Sequence, residues 1–149
     1  MLVRLLYASR AANEVAHDEL LKILSQSKTN NPAGGITGVL CASGRIFLQV
    51  LEGGRMQVNA LYNQIAADRR HKDVVILSYE EISERKFAGW SMGLVSLDRI
   101  NPSLLLKYSE CAELDPYAVS GKASMALFDE LMATASIMGQ ANVPHPAAR

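Results

Sequence analysis

The stretch IFLQVLEG, residues 46–53, reads as a strand that is apolar on both faces. Ile46, Leu48 and Val50 take one face, and Phe47, Gln49 and Leu51 take the other. Such a strand belongs in the interior of a sheet, and Gln49 is the one position that interrupts it. A buried amide without partners costs about 1–3 kcal/mol. Gln49 therefore requires a hydrogen-bonding partner, whether another side chain, a water or a ligand.

Working outward, ITGVLCA before it reads as a second strand, joined to it through Ser43-Gly44 as a hairpin. Val3, Leu5 and Tyr7 alternate with Leu2, Arg4 and Leu6, which suggests the first strand. Between them, residues 15–29 carry Leu20, Ile23, Leu24 and Ser27 at helical spacing, and TNNPAGG stops that helix. A second amphipathic helix is expected over about 55–68, with Val58, Leu61, Tyr62 and Ile65 inward. DVVILSYEEI then reads as a fourth strand and WSMGLVSL as a fifth. The order β-α-β-β-α-β-β predicts an α+β, ferredoxin-like sandwich: a five-stranded mixed sheet with two helices on one face.

Beyond residue 97 the pattern turns helical. Asn101-Pro102 marks a capped helix start ahead of Leu104, Leu105 and Tyr108. A further helix is expected over about 122–138, with Leu127, Leu131, Ala135 and Met138 in a stripe and Gly139 as its stop. This segment either covers the other face of the sheet or makes subunit contacts. The tail NVPHPAAR has no pattern and reads as disordered. The expected division is a domain over 1–97, a helical extension over 98–140 and a tail over 141–149.

Composition excludes several function classes. The 149 residues carry 15 basic and 15 acidic side chains, so no basic excess implies a nucleic acid. No apolar run approaches the length of about 18 residues that spans a membrane. Cys41 and Cys111 supply neither a disulfide framework nor metal spacing, and a reducing cytoplasm is the simplest compartment. His17, His71 and His145 are scattered, so no metal cluster is expected. Glycine-rich nucleotide motifs and nucleophile triads are missing from the sequence. Glu52, Glu80, Glu81 and Glu84 read as strand-end and loop charges.

In a ferredoxin-like sheet the first and third strands are central neighbours, about 4.8 Å apart. If their faces match, the Tyr7 phenol and the Gln49 amide can touch; such a pair is either structural or part of a site. Ser27, Asn30 and Asn31 close the first helix and its exit loop. They read either as caps and turn formers or, with Ile23 and Ile65, as the lining of a slot with apolar walls and one polar end. That slot fits a flat heteroaromatic ring with carbonyl and imide edges. DRRH, residues 68–71, reads either as a solvated helix end or as a grip on phosphate or ribose.

Together, Tyr7, NNPAGGITGVL, FLQVLEG, DRRH and FAGWSMGLV resemble the BLUF domain, a blue-light sensor that uses FAD. The likeness covers about residues 1–97 and continues weakly into the C-terminal helices, as in short, stand-alone cyanobacterial-type members. The resemblance implies the same sandwich, with a non-covalent FAD (FMN or riboflavin being alternatives) between the two helices. By position, Tyr7 is similar to the electron and proton donor to the excited flavin, and Gln49 to the amide between that tyrosine and the ring. Asn31, Asn30 and Ser27 match residues at the ring edge, and Ile23 and Ile65 the aliphatic residues that sandwich it. Arg70 and His71 match the ribityl-phosphate side, while Trp90 and Met92 match a pair that relays the signal.

The mechanism so implied turns over no substrate: light leaves a rearranged Gln49 hydrogen-bond network. The expected output is a separate effector, such as a response-regulator-like protein or a cyclic-dinucleotide phosphodiesterase, reached from a cytoplasmic homo-oligomer. Three rivals share the fold. One is an acylphosphatase-like hydrolase using the arginine of YASRAAN, one a flavin-dependent oxidoreductase, and one a plain regulatory or oligomerisation module.

Overall fold

The computed structural model of the chain describes residues 1–19, 22, 35–97 and 100–134. Among them are the strands β1 (Leu2–Ala11), β2 (Thr37–Ser43), β3 (Ile46–Gly54), β4 (His71–Ile82) and β5 (Gly93–Ser96). The helices are α1 (Arg55–Ala67), α2 (Pro102–Tyr108) and α3 (Gly121–Ala133). Residues 14–19 are also helical, at the start of the segment expected to form the first helix. Ile23, Ser27, Asn30 and Asn31 lie outside the described residues, as do Ala135, Met138, Gly139 and the tail.

The sheet order is β4-β1-β3-β2-β5. β1 pairs antiparallel with β3 and β4, β2 pairs antiparallel with β3, and β5 adds parallel to β2. This is the mixed, ferredoxin-like sheet that the element order predicts, with the first and third strands adjacent at its centre. Gly38 is required where β2 meets β3, because a Cβ there would lie 2.0 Å from the Val50 carbonyl oxygen. Gly44 turns the hairpin with φ +56°, a conformation that other residues adopt only with strain.

Both faces of the sheet are covered, which explains why β3 is apolar on both sides. Val3, Leu5, Tyr7, Phe47 and Leu51 pack with Val58 and Ile65 of α1. On the opposite face Leu6, Ala8, Leu48 and Val50 pack with Leu127, Phe128 and Leu131 of α3. The C-terminal segment therefore covers the second face, one of the two roles open to it. Its helices start on side-chain caps: Asn101 Oδ1 accepts from the Ser103 N–H (3.0 Å), and Ser120 Oγ from the Ala123 N–H (3.1 Å).

Two strand starts differ from the sequence expectation by two residues or more. β4 begins at His71 instead of Asp73, and β5 begins at Gly93 instead of Trp90. The register of β1 with β4 shifts between Leu6 and Tyr7 and again between Ala8 and Arg10. Asp73, next to the second shift, takes φ +53°, which aspartate tolerates better than most residues.

Candidate functional site

Tyr7 and Gln49 are directly opposite each other in the β1–β3 ladder and point to the α1 face. The Tyr7 hydroxyl donates to Gln49 Oε1. On its other side Gln49 donates from Nε2 to the Met92 thioether at 3.2 Å. The partner that the sequence demanded for the amide is thus a phenol at one end and a sulfur at the other. All three side chains are buried. Burial pushes the Tyr7 phenol far above its ordinary pKa, and Tyr62 adds to the rise. Tyr62, on α1, meets the Tyr7 ring edge-on with centroids 5.7 Å apart. Ile65 is buried one turn further along α1, and Tyr62 and Leu61 are partly buried beside it.

Other expected site residues lie elsewhere. Trp90 is buried on the α3 face, with Phe87 and Phe128, and its Nε1 has no hydrogen-bond partner among the described residues. His71 is the first residue of β4, and its Nε2 meets the Ile65 carbonyl oxygen. A carbonyl only accepts, so this nitrogen carries the proton, and the ring ties β4 to the end of α1. Arg70 binds Asp68 through Nε (2.9 Å). That contact holds the Asp68 carboxyl down at about 2. Arg70 also borders a cleft of about 720 Å³ that Asn13, Arg45 and Arg69 help to line. Arg10, the arginine that a phosphate-loop hydrolase would use, is engaged with Asp73 (3.5 Å) and lies over the Tyr117 ring at 4.0 Å.

Glu52 corrects the expectation of a strand-end charge: it is wholly buried and ion-paired to Arg4 at 2.8 Å. The signal was available. Arg4 and Glu52 are opposite charges on inward-facing positions of neighbouring strands, and they are direct partners in the ladder. Their match required the register, which alternation alone does not supply.

Comparison with known proteins adds the family. Residues 2–93 match the family model described as BLUF, sensors of blue-light using FAD. The chain belongs to the BLUF family. A photoactivated adenylate cyclase subunit alpha of Euglena gracilis is 37% identical over 86 residues, which are 58% of this chain and 8% of that protein. The blue light- and temperature-regulated antirepressor BluF of Escherichia coli K12 is 31% identical over 97 residues, 65% of this chain and 24% of that protein. The chain thus spans a quarter or less of these curated relatives. Among solved structures, BlsA in its photo-activated state matches with a TM-score of 0.78 at 32% identity, over 89% of this chain and 95% of that one. BlrB in its dark state gives 0.72 at 33% identity, over 90% and 96%.

Membership makes this BLUF chain a blue-light sensor that uses FAD. The described residues around Gln49 fit that cofactor. Among the described residues the Gln49 Nε2 group has one acceptor for its two protons, and that acceptor is a weak thioether. A buried amide with unspent hydrogen-bonding capacity, beside the apolar and aromatic face of α1, suits a flat ring with acceptors on its edge. Ile23, Ser27, Asn30 and Asn31, expected at the ring, lie outside the described residues. Among the described residues no group of three or more metal-ligating side chains occurs, and no helix is long and apolar enough to cross a membrane.

Proposed function

We propose that the Gln49 amide is the moving part of this photoreceptor, with Tyr7 as its redox partner and Met92 as the group that fixes its resting orientation. One observation carries the reading: the buried chain from the Tyr7 hydroxyl to Gln49 Oε1 and from Gln49 Nε2 to Met92 Sδ. The two ends of that chain are chemically unequal. A phenol can donate or accept, whereas a thioether only accepts. Turning the amide over would place Oε1 against sulfur, acceptor against acceptor, and would make the Tyr7 oxygen accept from Nε2. The resting orientation is therefore favoured by Met92 and tolerated in reverse by Tyr7, the asymmetry that a metastable second state requires.

Bound FAD supplies the absorption of blue light and, once excited, a strong oxidant for a neighbouring phenol. Ile65 and Tyr62 would border the ring, with Ile23, Ser27, Asn30 and Asn31 as further candidates, while Arg70 stands toward the cleft. In the dark Tyr7 keeps its proton, because burial disfavours the phenolate. In the light Tyr7 gives up an electron and passes the Oη proton toward Gln49 Oε1 along their hydrogen bond, then takes both back. While Oε1 carries that proton the amide can tautomerise or rotate, and Nε2 leaves Met92. The lasting change is confined to the amide.

Output through a separate effector is part of the same proposal. The relatives named above include an adenylate cyclase subunit and an antirepressor, and another structural neighbour is BlrP1, solved with FMN and cyclic diGMP. A response-regulator-like or cyclic-dinucleotide-cleaving partner, a homo-oligomer and a cytoplasmic site are proposed for this chain. The functional division is proposed to run 1–97 for sensing and 98–140 for transmission, with 141–149 as a tail. Flavin absorption of the FAD-loaded protein tests the photochemical core. Blue light should move the band red, and darkness should restore it. A bound flavin whose band stays still, or bleaches for good, overturns the reading.

A further inference from the structure

We propose that Glu52 is a positioning residue for the Gln49 site: its buried carboxylate clamps the β4–β5 loop so that Met92, and not Trp90, meets the amide. The inference rests on Gln49 being the moving part, but the clamp itself is measurable without light.

Glu52 follows Gln49 by three residues on β3 and therefore faces the opposite side of the sheet. It is 0% exposed. Oε1 accepts from the Phe87 N–H (2.8 Å), and Oε2 accepts from the Lys86 N–H (3.1 Å) and from Arg4 Nε (2.8 Å). Arg4 continues to Glu80 at 2.7 Å. A buried carboxylate persists only with such partners. Here two of them are consecutive backbone amides of a loop, so a central strand grips the loop just before its two signal-relay candidates.

From the grip, the path to Met92 is short and fixed at each step. Phe87 is wholly buried and edge-on to Trp90 (6.3 Å between centroids) and to Phe128 of α3 (6.1 Å). The Trp90 N–H returns to the Phe87 carbonyl (3.1 Å), and the Trp90 carbonyl accepts from Gly38 of β2 (3.0 Å). With the Trp90 ring committed to the α3 side, Met92 is the side chain brought to the Gln49 face. Replacing one carboxylate oxygen by an amide NH2 would set a donor against the Phe87 N–H, or against the Lys86 N–H and Arg4 Nε, and release the first of these constraints.

The test uses the whole protein as purified, kept dark, with Glu52→Gln as the variant and Glu80→Gln as the control that leaves the clamp intact. Amide hydrogen exchange over residues 86–92 should accelerate about tenfold in Glu52→Gln, while β1 and β3 amides hold their rates. The emission of Trp90, the one tryptophan of the chain, should shift red. The NMR signal of the Gln49 side-chain amide should move as well. Glu80→Gln should change none of these. Unchanged loop exchange, or a Gln49 signal that stays in place while the loop loosens, overturns the proposal. If circular dichroism shows Glu52→Gln to be unfolded, the parent protein decides: its Phe87 amide must exchange as slowly as that of Leu51, and fast exchange overturns the clamp. A parent protein without a blue-light shift would defeat the photochemical reading while these exchange results still stood.

Discussion

Trp90 and Met92, two residues apart, lie on opposite sides of the sheet: Trp90 packs with Phe87 and Phe128 against α3, and Met92 meets Gln49 on the α1 face. In a regular strand, positions i and i+2 share a face. The rule does not apply because β5 begins at Gly93: residues 91 and 92 form a bend that follows Trp90, whose backbone is held by Phe87 and Gly38. The segment thus touches the photochemical amide with one side chain and the C-terminal helices with the other.

Trp90→Phe should therefore leave the amplitude of the light-induced red shift intact, because the indole is not among the partners of Gln49. It should cost about 1–2 kcal/mol of stability through lost packing. Urea unfolding and a light-minus-dark spectrum of the same sample check both halves. Loss of the red shift in a folded, FAD-loaded variant would contradict the placement.

Met92→Leu keeps the volume, so stability should fall by less than about 1.5 kcal/mol. It removes the acceptor that fixes the resting amide. The dark orientation loses its advantage, and dark recovery should slow about threefold, the size of a weak hydrogen bond. Recovery followed at the red edge of the flavin band measures this. A rate equal to or faster than that of the parent would show that Met92 does not set the orientation.

Gln49→Leu removes the moving part. The variant should bind FAD and show no red shift. It should also lose about 1–3 kcal/mol, because the Tyr7 hydroxyl is left buried without its acceptor. A normal photocycle in this variant would assign the amide a purely structural role.

Much of this site was legible in the chain because it lies on regular strands. Alternation placed Gln49 beside Tyr7, since both central strands are uninterrupted and their faces are fixed by period two. The same alternation failed at Trp90 and Met92, where the backbone bends before the strand begins. It also missed Glu52, whose amide partners at Lys86 and Phe87 come from a loop more than thirty residues away. His71 and Arg70, adjacent in one motif, separate because helix geometry ends between Ala67 and His71. One side chain then binds a helix carbonyl, and the other turns back on Asp68 toward the cleft.

The Tyr7 phenol supplies the pH prediction. Its folded-state pKa is raised far above the usual value of about 10 by burial, and further by Tyr62. In the unfolded chain it ionises near 10. The unfolded state therefore binds fewer protons than the folded state above about pH 10, and stability falls as pH rises through that window; below it the residue has no pH-dependent effect. One proton corresponds to about 1.4 kcal/mol per pH unit. The gap in unfolding free energy between the parent and Tyr7→Phe should be constant from pH 7 to 9 and then shift in favour of the variant as pH rises toward 11, at about that slope. A gap that stays level across pH 10 would mean that Tyr7 ionises as readily in the folded protein as in the unfolded chain, which would contradict the burial of its hydroxyl against Gln49.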